Sequence, residues 1–184
     1  MEVRVDLSDF TVETERLYLR PWQETDLVDF NAYASVPGVG EMAGWPHHTS
    51  MEESKSILRI IIEGKSTFAI VHKADEKAIG TIDLHPSWAN NDNRFRHLKL
   101  LEIGYVLSKE YWGQGLMPEA VKALIELSFM ELGFEALTCG HFEENYQSRR
   151  VIEKCGFTFL ENGVFDAKQL GRIFNGRRYI IIKR

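Results

Sequence analysis

The chain places two glycines, Gly113 and Gly115, between a run typical of a β-strand and a run typical of an α-helix. The preceding run, residues 98–107, is the longest β-like stretch in the middle of the chain, and the helix has Pro118 in its first turn. A turn of this kind aims backbone N–H groups at one point, and the first helical turn adds unpaired donors and the positive end of its dipole. This strand–turn–helix segment therefore predicts a sheet with a helix packed on it. Its turn at 112–117, called the Gly turn below, predicts a site for a phosphate or diphosphate.

Two well-known kinds of phosphate-binding loop can be excluded for this turn. Pro118 stands where a dinucleotide-binding fingerprint has its third glycine, and the Gly-Lys-Ser/Thr ending of a nucleotide-triphosphatase loop is missing. A different phosphate-bearing ligand is therefore needed. A tight turn that only starts a helix is the alternative interpretation, because Gly-x-Gly by itself is a weak signal.

Hydrophobic periodicity and turn residues divide the rest of the chain into strands and helices. After the first strand, two helices end at Pro37 and Gly64, and later helices end at Gly133 and Gly156. The predicted strands are 17–20, 67–72, 78–85, 98–107, 136–142, 157–160 and 177–183. Hairpins come first and crossover helices later, which indicates an α/β protein with a mixed sheet.

Composition limits the function classes that the chain can serve. Its 184 residues are 44% hydrophobic, enough for one ordinary domain, which we place at 12–184 after an N-terminal arm at 1–11. A net charge of −5 argues against a general nucleic-acid or membrane-surface binder. Two cysteines are too few for a disulfide framework or a Cys-rich zinc site, and no apolar stretch reaches membrane-spanning length. We therefore expect a cytoplasmic protein.

A glycine interrupts each of the two strands that flank the helix of the Gly turn. Gly104 lies in a run whose alternation puts Glu102 and Val106 on its own face, and Gly140 lies in the run 136–142. A glycine inside a strand weakens it and often marks the close approach of another backbone or a ligand. The two positions predict that something narrow lies between or across these strands, although two ordinary sheet glycines would give the same pattern.

Three segments in this order resemble the GNAT superfamily of acetyl-CoA-dependent N-acetyltransferases, and most closely its RimJ/RimL-like branch. They are LEIGYVL at 101–107, YWGQGLMPEA at 111–120 and NYQSRRVIEKCGF at 145–157. The opening TERLYLRP at 14–21 is also typical of that branch. The resemblance, which runs from about residue 12 to 184, implies a mostly antiparallel sheet of about seven strands, splayed in the middle, with about four helices.

The resemblance also implies a cosubstrate and the residues that bind it. The diphosphate of acetyl-CoA would lie on the turn at 112–117, and its pantetheine arm would lie along 105–107 like an added strand. The implied binding residues are Tyr105, Val106, Leu107, Trp112, Gly113, Gln114, Gly115, Leu116, Met117, Asn145 and Ser148. The implied reaction is acetyl transfer to a primary amine, either a protein N-terminus or a small molecule, by direct attack in a ternary complex.

This chain departs from the pattern of the family at three positions. Trp112 stands where many members have Arg or Gln, and Met117 where many have a small residue. Because backbone N–H groups bind the phosphates, we expect binding to survive both changes. Ile152 stands where many members carry a tyrosine that protonates the leaving thiolate. In the RimL-like branch the residue matching Ser148 is a candidate replacement, so we assign the proton-donor role to Ser148.

The acceptor must lose a proton, because an alkyl ammonium with a pKa of about 10.4 cannot attack a thioester. Glu102 is the first choice of base, since it lies beside Gly104 and burial under substrate would raise its pKa. His141 and Glu143, at the end of the neighbouring strand, are the alternatives. A solvated carboxylate at 102 and a satisfied core histidine at 141 are the competing interpretations.

Other possibilities stay open at this point. Cys139 or Cys155 could carry the acetyl group covalently, although neither has a paired base in the sequence. A regulatory module that binds CoA without turnover would share the same motifs. We predict no metal site, because His47 and His48 have no further ligands at suitable spacing. We also expect no nucleic-acid or membrane partner, and a homodimer is a possible assembly.

Overall fold

In the computed structural model, residues 4–184 form one eight-stranded sheet, four α-helices and short 3-10 turns. The strands are β1 (Val12–Glu13), β2 (Leu17–Pro21), β3 (Thr67–His72), β4 (Lys77–His85), β5 (Leu100–Leu107), β6 (Ala136–Phe142), β7 (Thr158–Ala167) and β8 (Arg172–Ile182). The helices are α1 (Leu27–Ala34), α2 (Met51–Gly64), α3 (Leu116–Met130) and α4 (Tyr146–Lys154). This confirms the α/β class and the four helices.

The sheet has the order β1-β2-β3-β4-β5-β6-β8-β7. Every neighbouring pair is antiparallel except β5 and β6, which are parallel. Helix α3 makes the crossover between these two strands, as a parallel pair requires. The prediction of a mixed, mostly antiparallel sheet is thus confirmed.

The parallel strands separate soon after they meet. β5 and β6 pair only where Leu100–Glu102 faces Ala136–Thr138. Beyond that point β5 stays paired to β4 as far as Leu107, and β6 stays paired to β8 as far as Phe142. The sheet is therefore splayed in the middle, as predicted, and a wedge-shaped opening lies between the two strands.

Helices cover the sheet on both faces. Helices α3 and α4 pack on one face, where the larger core includes Leu101, Ile103 and Leu137. Helices α1 and α2 pack on the other face, against Ala69 and Val71. The alternation predicted for β5 holds, because Leu101 and Ile103 enter the larger core while Val106 packs on the opposite side. Within residues 4–184, no helix is long and apolar enough to cross a bilayer.

The N-terminal segment is more ordered than its polar composition suggests. Residues 1–3 of the predicted arm lie outside the described part of the chain. Leu7 is fully buried in the larger core, and its backbone N–H donates to the Lys65 carbonyl at 2.7 Å. Val12–Glu13 pairs with β2 and gives the sheet its eighth strand. Val5 also packs against this core, and the alternation of Val5 and Leu7 was a signal too short to predict the packing.

The last hairpin is longer than predicted. β7 runs on to Ala167 and β8 begins at Arg172, whereas the sequence suggested strands only at 157–160 and 177–183. β7 is the outermost strand, and most of its side chains are exposed or half-buried. The prediction ended early because Glu161, Asn162 and Gly163 are typical of a loop, although the backbone ladder continues through them.

Candidate active site

A cavity of about 480 Å³ opens where β5 and β6 separate, and it extends to the Gly turn before α3. Its walls come mainly from β5, the turn, the end of β6 and α4. The predicted site residues that line it are Glu102, Tyr105, Val106, Leu107, Trp112, Gly113, Gly115, Leu116, Met117, His141, Asn145 and Ser148. Gln114 and Glu143 are not among the lining residues. Residues far apart in sequence thus meet at one opening.

The turn before α3 is held in a conformation that glycine permits. Gly113 and Gly115 have φ angles of +76° and +78°, in the left-handed region that side-chain-bearing residues rarely adopt. The space beside Gly113 is open, and α3 starts at Leu116 with its first N–H groups unpaired within the helix. The turn therefore presents backbone donors and a helix dipole to the cavity, which suits a diphosphate.

Arg16 fixes this turn from the far end of the sequence. Its Nη1 donates to the Gln114 carbonyl at 2.8 Å, and its Nε donates to Glu119 Oε2 at 2.8 Å. The Gln114 side chain donates to the Glu110 carbonyl at 3.0 Å. Gln114 therefore holds the turn in shape with its own polar groups occupied.

The edge of β5 beyond Glu102 faces the opening without a neighbouring strand. Residues 103–107 pair with β4 on one side, but β6 has already separated on the other. Trp112 Nε1 donates to the Leu107 carbonyl at 2.8 Å, which ties the turn to the end of this edge. An extended chain that carries amide groups can add to such an edge as a strand does. The open edge and the donor-rich turn together fit the pantetheine and diphosphate parts of CoA.

Glu102 lies on the floor of the opening, with partners from both neighbouring strands. Its register partners are His85 on β4 and Thr138 on β6, and Thr138 Oγ1 donates to Glu102 Oε2 at 3.0 Å. Burial raises the pKa of the Glu102 carboxyl, while the positive charges of His85 and Arg178 act in the opposite direction. The net shift is upward, as suits a group that must take a proton near neutral pH.

A second cavity, of about 470 Å³, adjoins the other side of Glu102. Its walls include Ala43 and Gly44 from the loop at 36–49, Trp88 from the loop after β4, and the end of β7. Glu102 is thus the carboxylate that faces both the cavity of the Gly turn and this second cavity. The arrangement places one ionisable group between two cavities.

Ser148 and Tyr105 form a hydroxyl pair within the first cavity. Ser148 is near the start of α4, where its backbone N–H donates to Asn145 Oδ1 at 3.0 Å and so caps the helix. Ser148 Oγ lies 2.8 Å from the Tyr105 hydroxyl. Burial raises the pKa of Tyr105 well above its usual value, so this hydroxyl keeps its proton. Ile152, one turn further along α4, is fully buried in the larger core.

His141 and Glu143 lie in very different surroundings. His141 is buried, with Nδ1 2.7 Å from the Phe142 carbonyl and Nε2 3.2 Å from the Tyr179 hydroxyl. Burial lowers the pKa of His141, so its neutral form is favoured, and both ring nitrogens have partners. Glu143 is exposed beyond the end of β6. These surroundings favour Glu102 over both as the base, and the roles of all three stay predictions.

Two groups at the site have no counterpart in the sequence predictions. His85 lines the first cavity, and its Nδ1 lies 2.7 Å from Asp83 Oδ2. Arg150 and Lys154 bring positive charge to the α4 wall of the same cavity. The alternation of Asp83 and His85 at the end of a strand was the available signal for the first group. The two basic residues lie inside the 145–157 segment that carried the family resemblance.

Both cysteine thiols are held in their neutral form. Burial raises the pKa of Cys139 well above its usual value and raises that of Cys155 to about 11. Cys139 Sγ also lies 3.4 Å from the Ile103 carbonyl, to which it donates. Because the thiolate is the reactive form, these surroundings favour structural roles for both residues.

The two adjacent histidines are engaged separately. His47 Nδ1 lies 2.7 Å from Glu41 Oε1, and His48 Nδ1 lies 2.7 Å from Ser54 Oγ. Over residues 4–184, no group of three or more His, Cys, Asp or Glu side chains could hold a metal ion. His47 therefore stabilises the loop at 36–49 internally, and His48 ties the loop to α2.

Comparison with known families agrees with this geometry. A family model described as Acetyltransferase (GNAT) domain matches residues 16–158. The chain therefore belongs to the GNAT acetyltransferase family and is an acetyl-CoA-dependent N-acetyltransferase.

Individual relatives extend the match over nearly the whole chain. The uncharacterized N-acetyltransferase p20 of Bacillus licheniformis is 26% identical over 181 residues, which cover 95% of this chain and 97% of the relative. A GNAT-family acetyltransferase structure from Bacillus anthracis superposes with a TM-score of 0.80 at 22% identity, over 94% of this chain and 98% of that one. The ribosomal-protein-S5-alanine acetyltransferase of Vibrio fischeri gives a TM-score of 0.73 at 23% identity, over 95% and 97%.

Proposed function

We propose that this protein transfers the acetyl group of acetyl-CoA to a primary amine, by direct attack while both substrates are bound. The observation that carries the proposal is the position of Glu102 at the wall shared by two cavities. One cavity includes the donor-rich turn that suits a diphosphate, and the other is free for an acceptor. A single carboxylate then faces both substrates.

The cosubstrate half of the proposal depends on backbone groups. The N–H groups of residues 113–117 bind the diphosphate, and Arg150 and Lys154 add positive charge along the same wall. The open edge at 105–107 pairs with the amides of the pantetheine arm. When bound, acetyl-CoA supplies an acetyl carbon that is already activated as a thioester. The protein then has to orient the two substrates and move protons.

Glu102 accepts a proton from the acceptor nitrogen. Its carboxyl reaches the acceptor cavity. Because its pKa is raised, it binds a proton more readily near neutral pH than an exposed glutamate does. His141 is less suitable because both of its ring nitrogens are engaged, and Glu143 lies outside both cavities.

Ser148 donates a proton to the leaving sulfur, with Tyr105 as its partner. The 2.8 Å contact between the two hydroxyls allows a proton lost by one to be replaced from the other. The raised pKa of Tyr105 keeps that hydroxyl protonated before the reaction. This pair takes the place of the tyrosine that position 152 lacks.

The acceptor belongs to one of two chemical classes, a protein N-terminus or a small primary amine. The structural neighbour from Vibrio fischeri is named for acetylation of an alanine of a ribosomal protein, which makes short peptides with a free N-terminal amine the first acceptors to test. Small amines form the second class. A homodimer is the assembly to test, and sedimentation analysis of the purified chain measures it.

The test is a thiol-release assay with acetyl-CoA across a panel of peptides and small amines, followed by mass spectrometry of the products. We expect free CoA to appear together with an acetylated amine in equal amounts. Release of no thiol with any member of a broad panel, despite measurable acetyl-CoA binding, would contradict the proposal.

A CoA-binding regulatory module is the second candidate function. The observation in its favour is Ile152, which puts a buried aliphatic side chain where many family members have the proton-donating tyrosine. Calorimetry with acetyl-CoA, run beside the thiol-release assay, separates the two functions. Tight binding without turnover would favour the module, whereas turnover would exclude it.

A further inference from the structure

A carboxylate–imidazole pair on β4 faces the same opening as Glu102. Asp83 and His85 are two residues apart on the strand, so their side chains lie on one face. His85 Nδ1 lies 2.7 Å from Asp83 Oδ2, while Nε2 has no hydrogen bond to any residue from 4 to 184. The contact with Asp83 therefore places a proton on Nδ1 and leaves Nε2 able to accept one.

The strand glycine in β5 makes room for this pair. Gly104 is the register partner of Asp83. A Cβ atom at position 104 would lie 2.7 Å from Asp83 Oδ1 and 3.1 Å from His85 Cε1, both closer than atoms normally approach. Gly104 therefore leaves room for the Asp83–His85 pair.

The pair adjoins Glu102 across the strands. His85 is the register partner of Glu102, and cross-strand neighbours on one face have Cβ atoms about 4.5–5.5 Å apart. Both side chains line the first cavity, and 45% of the His85 side chain is exposed. Glu102 also lines the second cavity and His85 does not, so an acceptor amine reaches His85 where it passes Glu102 into the first cavity.

The charges around His85 favour proton uptake. Partial burial acts to lower the pKa of His85, but the hydrogen bond and charge of Asp83 and the charge of Glu102 outweigh it and raise the pKa. Arg178 of β8 is a cation whose charge acts on Glu102 and lowers its pKa. His85 therefore gains a proton more readily than an isolated histidine does.

We propose that His85, oriented by Asp83, is a second proton acceptor for the acceptor amine, alongside Glu102. The proposal depends on the acetyltransferase function given above. Its chemical basis is the proton count, because a primary ammonium has three N–H bonds and the acetylated product has one. Two protons leave the nitrogen, and a single carboxylate holds only one.

Two protons leave the acceptor nitrogen and one reaches the leaving sulfur. The lone pair of His85 Nε2 takes one proton from the ammonium, and a neutral amine remains. The nitrogen lone pair forms the bond to the acetyl carbon while the carbon–sulfur bond breaks and its electron pair stays on sulfur. Glu102 takes the second nitrogen proton, and the Ser148–Tyr105 pair gives one proton to sulfur. His85 and Glu102 return theirs to solvent, the hydroxyl pair regains one, and one proton is released overall.

The test uses the variant His85→Gln and primary amines of graded basicity. Alkyl amines have a pKa of about 10.4 and α-amines a pKa of about 7.7–8.0, so they reach the enzyme with different neutral fractions. At pH 7 we expect His85→Gln to lower kcat/KM for an alkyl amine by roughly 100-fold, and for an α-amine by much less. For a given α-amine, the defect should disappear as the pH rises from 7 to 9.

Two other variants complete the experiment. His97→Gln removes an exposed imidazole outside both cavities, and we expect wild-type kinetics. Asp83→Asn keeps the size of the side chain but removes its charge, which lowers the pKa of His85 and should give an intermediate defect with the same dependence on amine basicity. It also provides the test if His85→Gln fails to fold.

The outcomes separate this inference from the proposed function. A defect in His85→Gln that follows the ammonium fraction supports the second acceptor. A kcat/KM for the alkyl amine within about threefold of wild type at pH 7, or a defect that is constant across pH and amine basicity, overturns it while the acetyltransferase function stands. A wild-type protein that releases no thiol with any amine contradicts the proposed function instead.

Discussion

At the scale of single residues, the proposed reaction depends on the surroundings of Glu102. Thr138 Oγ1 donates to its carboxylate, and burial raises its pKa in spite of the positive charges nearby. An exposed glutamate is fully ionised at neutral pH and has little affinity for a proton. When the same side chain is buried between two cavities, its raised pKa makes it a better proton acceptor for an amine.

We expect Glu102→Gln to lower turnover by roughly 100-fold or more while acetyl-CoA affinity stays the same. The amide keeps the size of the side chain but cannot take a proton. In the wild type, because the pKa of Glu102 is raised, the rate should fall with decreasing pH through a midpoint above the ordinary glutamate value. Steady-state kinetics and calorimetry measure the two quantities; unchanged turnover would exclude Glu102 as the base.

Ser148→Ala and Tyr105→Phe should each slow the transfer step, since each removes one hydroxyl of the pair at 2.8 Å. We expect a loss of roughly 10- to 100-fold in kcat and a double variant that is no slower than the slower single variant, because the hydroxyls act as a unit. Fully additive losses would show that the two residues act independently.

Some residues of the candidate site could be predicted from the sequence, whereas the contacts between distant segments could not. Glu102 and Ser148 lie in contiguous segments whose alternation and motif mark them. The contact between Arg16 and the Gly turn joins residues about a hundred positions apart, and the His85–Glu102 pair depends on strand register. Neither contact leaves a local pattern in the sequence, so only the folded chain identifies these partners.

At the scale of elements, the strand–turn–helix unit from β5 to α3 is the proposed cosubstrate site. We expect Gly113→Ala to weaken acetyl-CoA binding by about tenfold or more, equivalent to about 1.4 kcal/mol. The methyl group would enter the open space beside residue 113 and would strain a backbone with φ +76°. Calorimetric titration with acetyl-CoA measures the loss.

Gly171→Ala is the matched control for that prediction. Gly171 also has a positive φ, +59°, with open space beside it, but it lies outside the Gly turn in the connection between β7 and β8. Both variants should lose about 1–2 kcal/mol of unfolding free energy from backbone strain. Equal effects of the two variants on acetyl-CoA affinity would contradict a role for the Gly turn in binding.

The elements themselves were predictable where hydrophobic periodicity is strong. The order from β2 to α4 followed from apolar runs, caps and stops, and Ser50 does cap α2 by accepting from the Glu53 N–H at 3.1 Å. β1 and the far halves of β7 and β8 were missed. Their stability comes from ladder pairing at the edges of the sheet, which needs little apolar surface.

At the scale of the whole molecule, the splayed sheet places Glu102 between two cavities. This arrangement favours direct transfer over a covalent relay through cysteine. The raised pKa values of Cys139 and Cys155 keep both thiols protonated. With acetyl-CoA in excess and the acceptor withheld, intact-protein mass spectrometry should show no acetylated cysteine. A stable acetyl group on either thiol, transferred when the acceptor is added, would overturn the direct route.

The most direct measurement is a crystal structure of the protein with CoA. We predict that the diphosphate oxygens lie within about 3 Å of backbone nitrogens in residues 113–117, and that the pantetheine amides pair with the backbone of β5 at 105–107. The thiol should then point towards Glu102 between the separated strands. A diphosphate bound away from the Gly turn, or no bound CoA after soaking at millimolar concentration, would contradict the central claim.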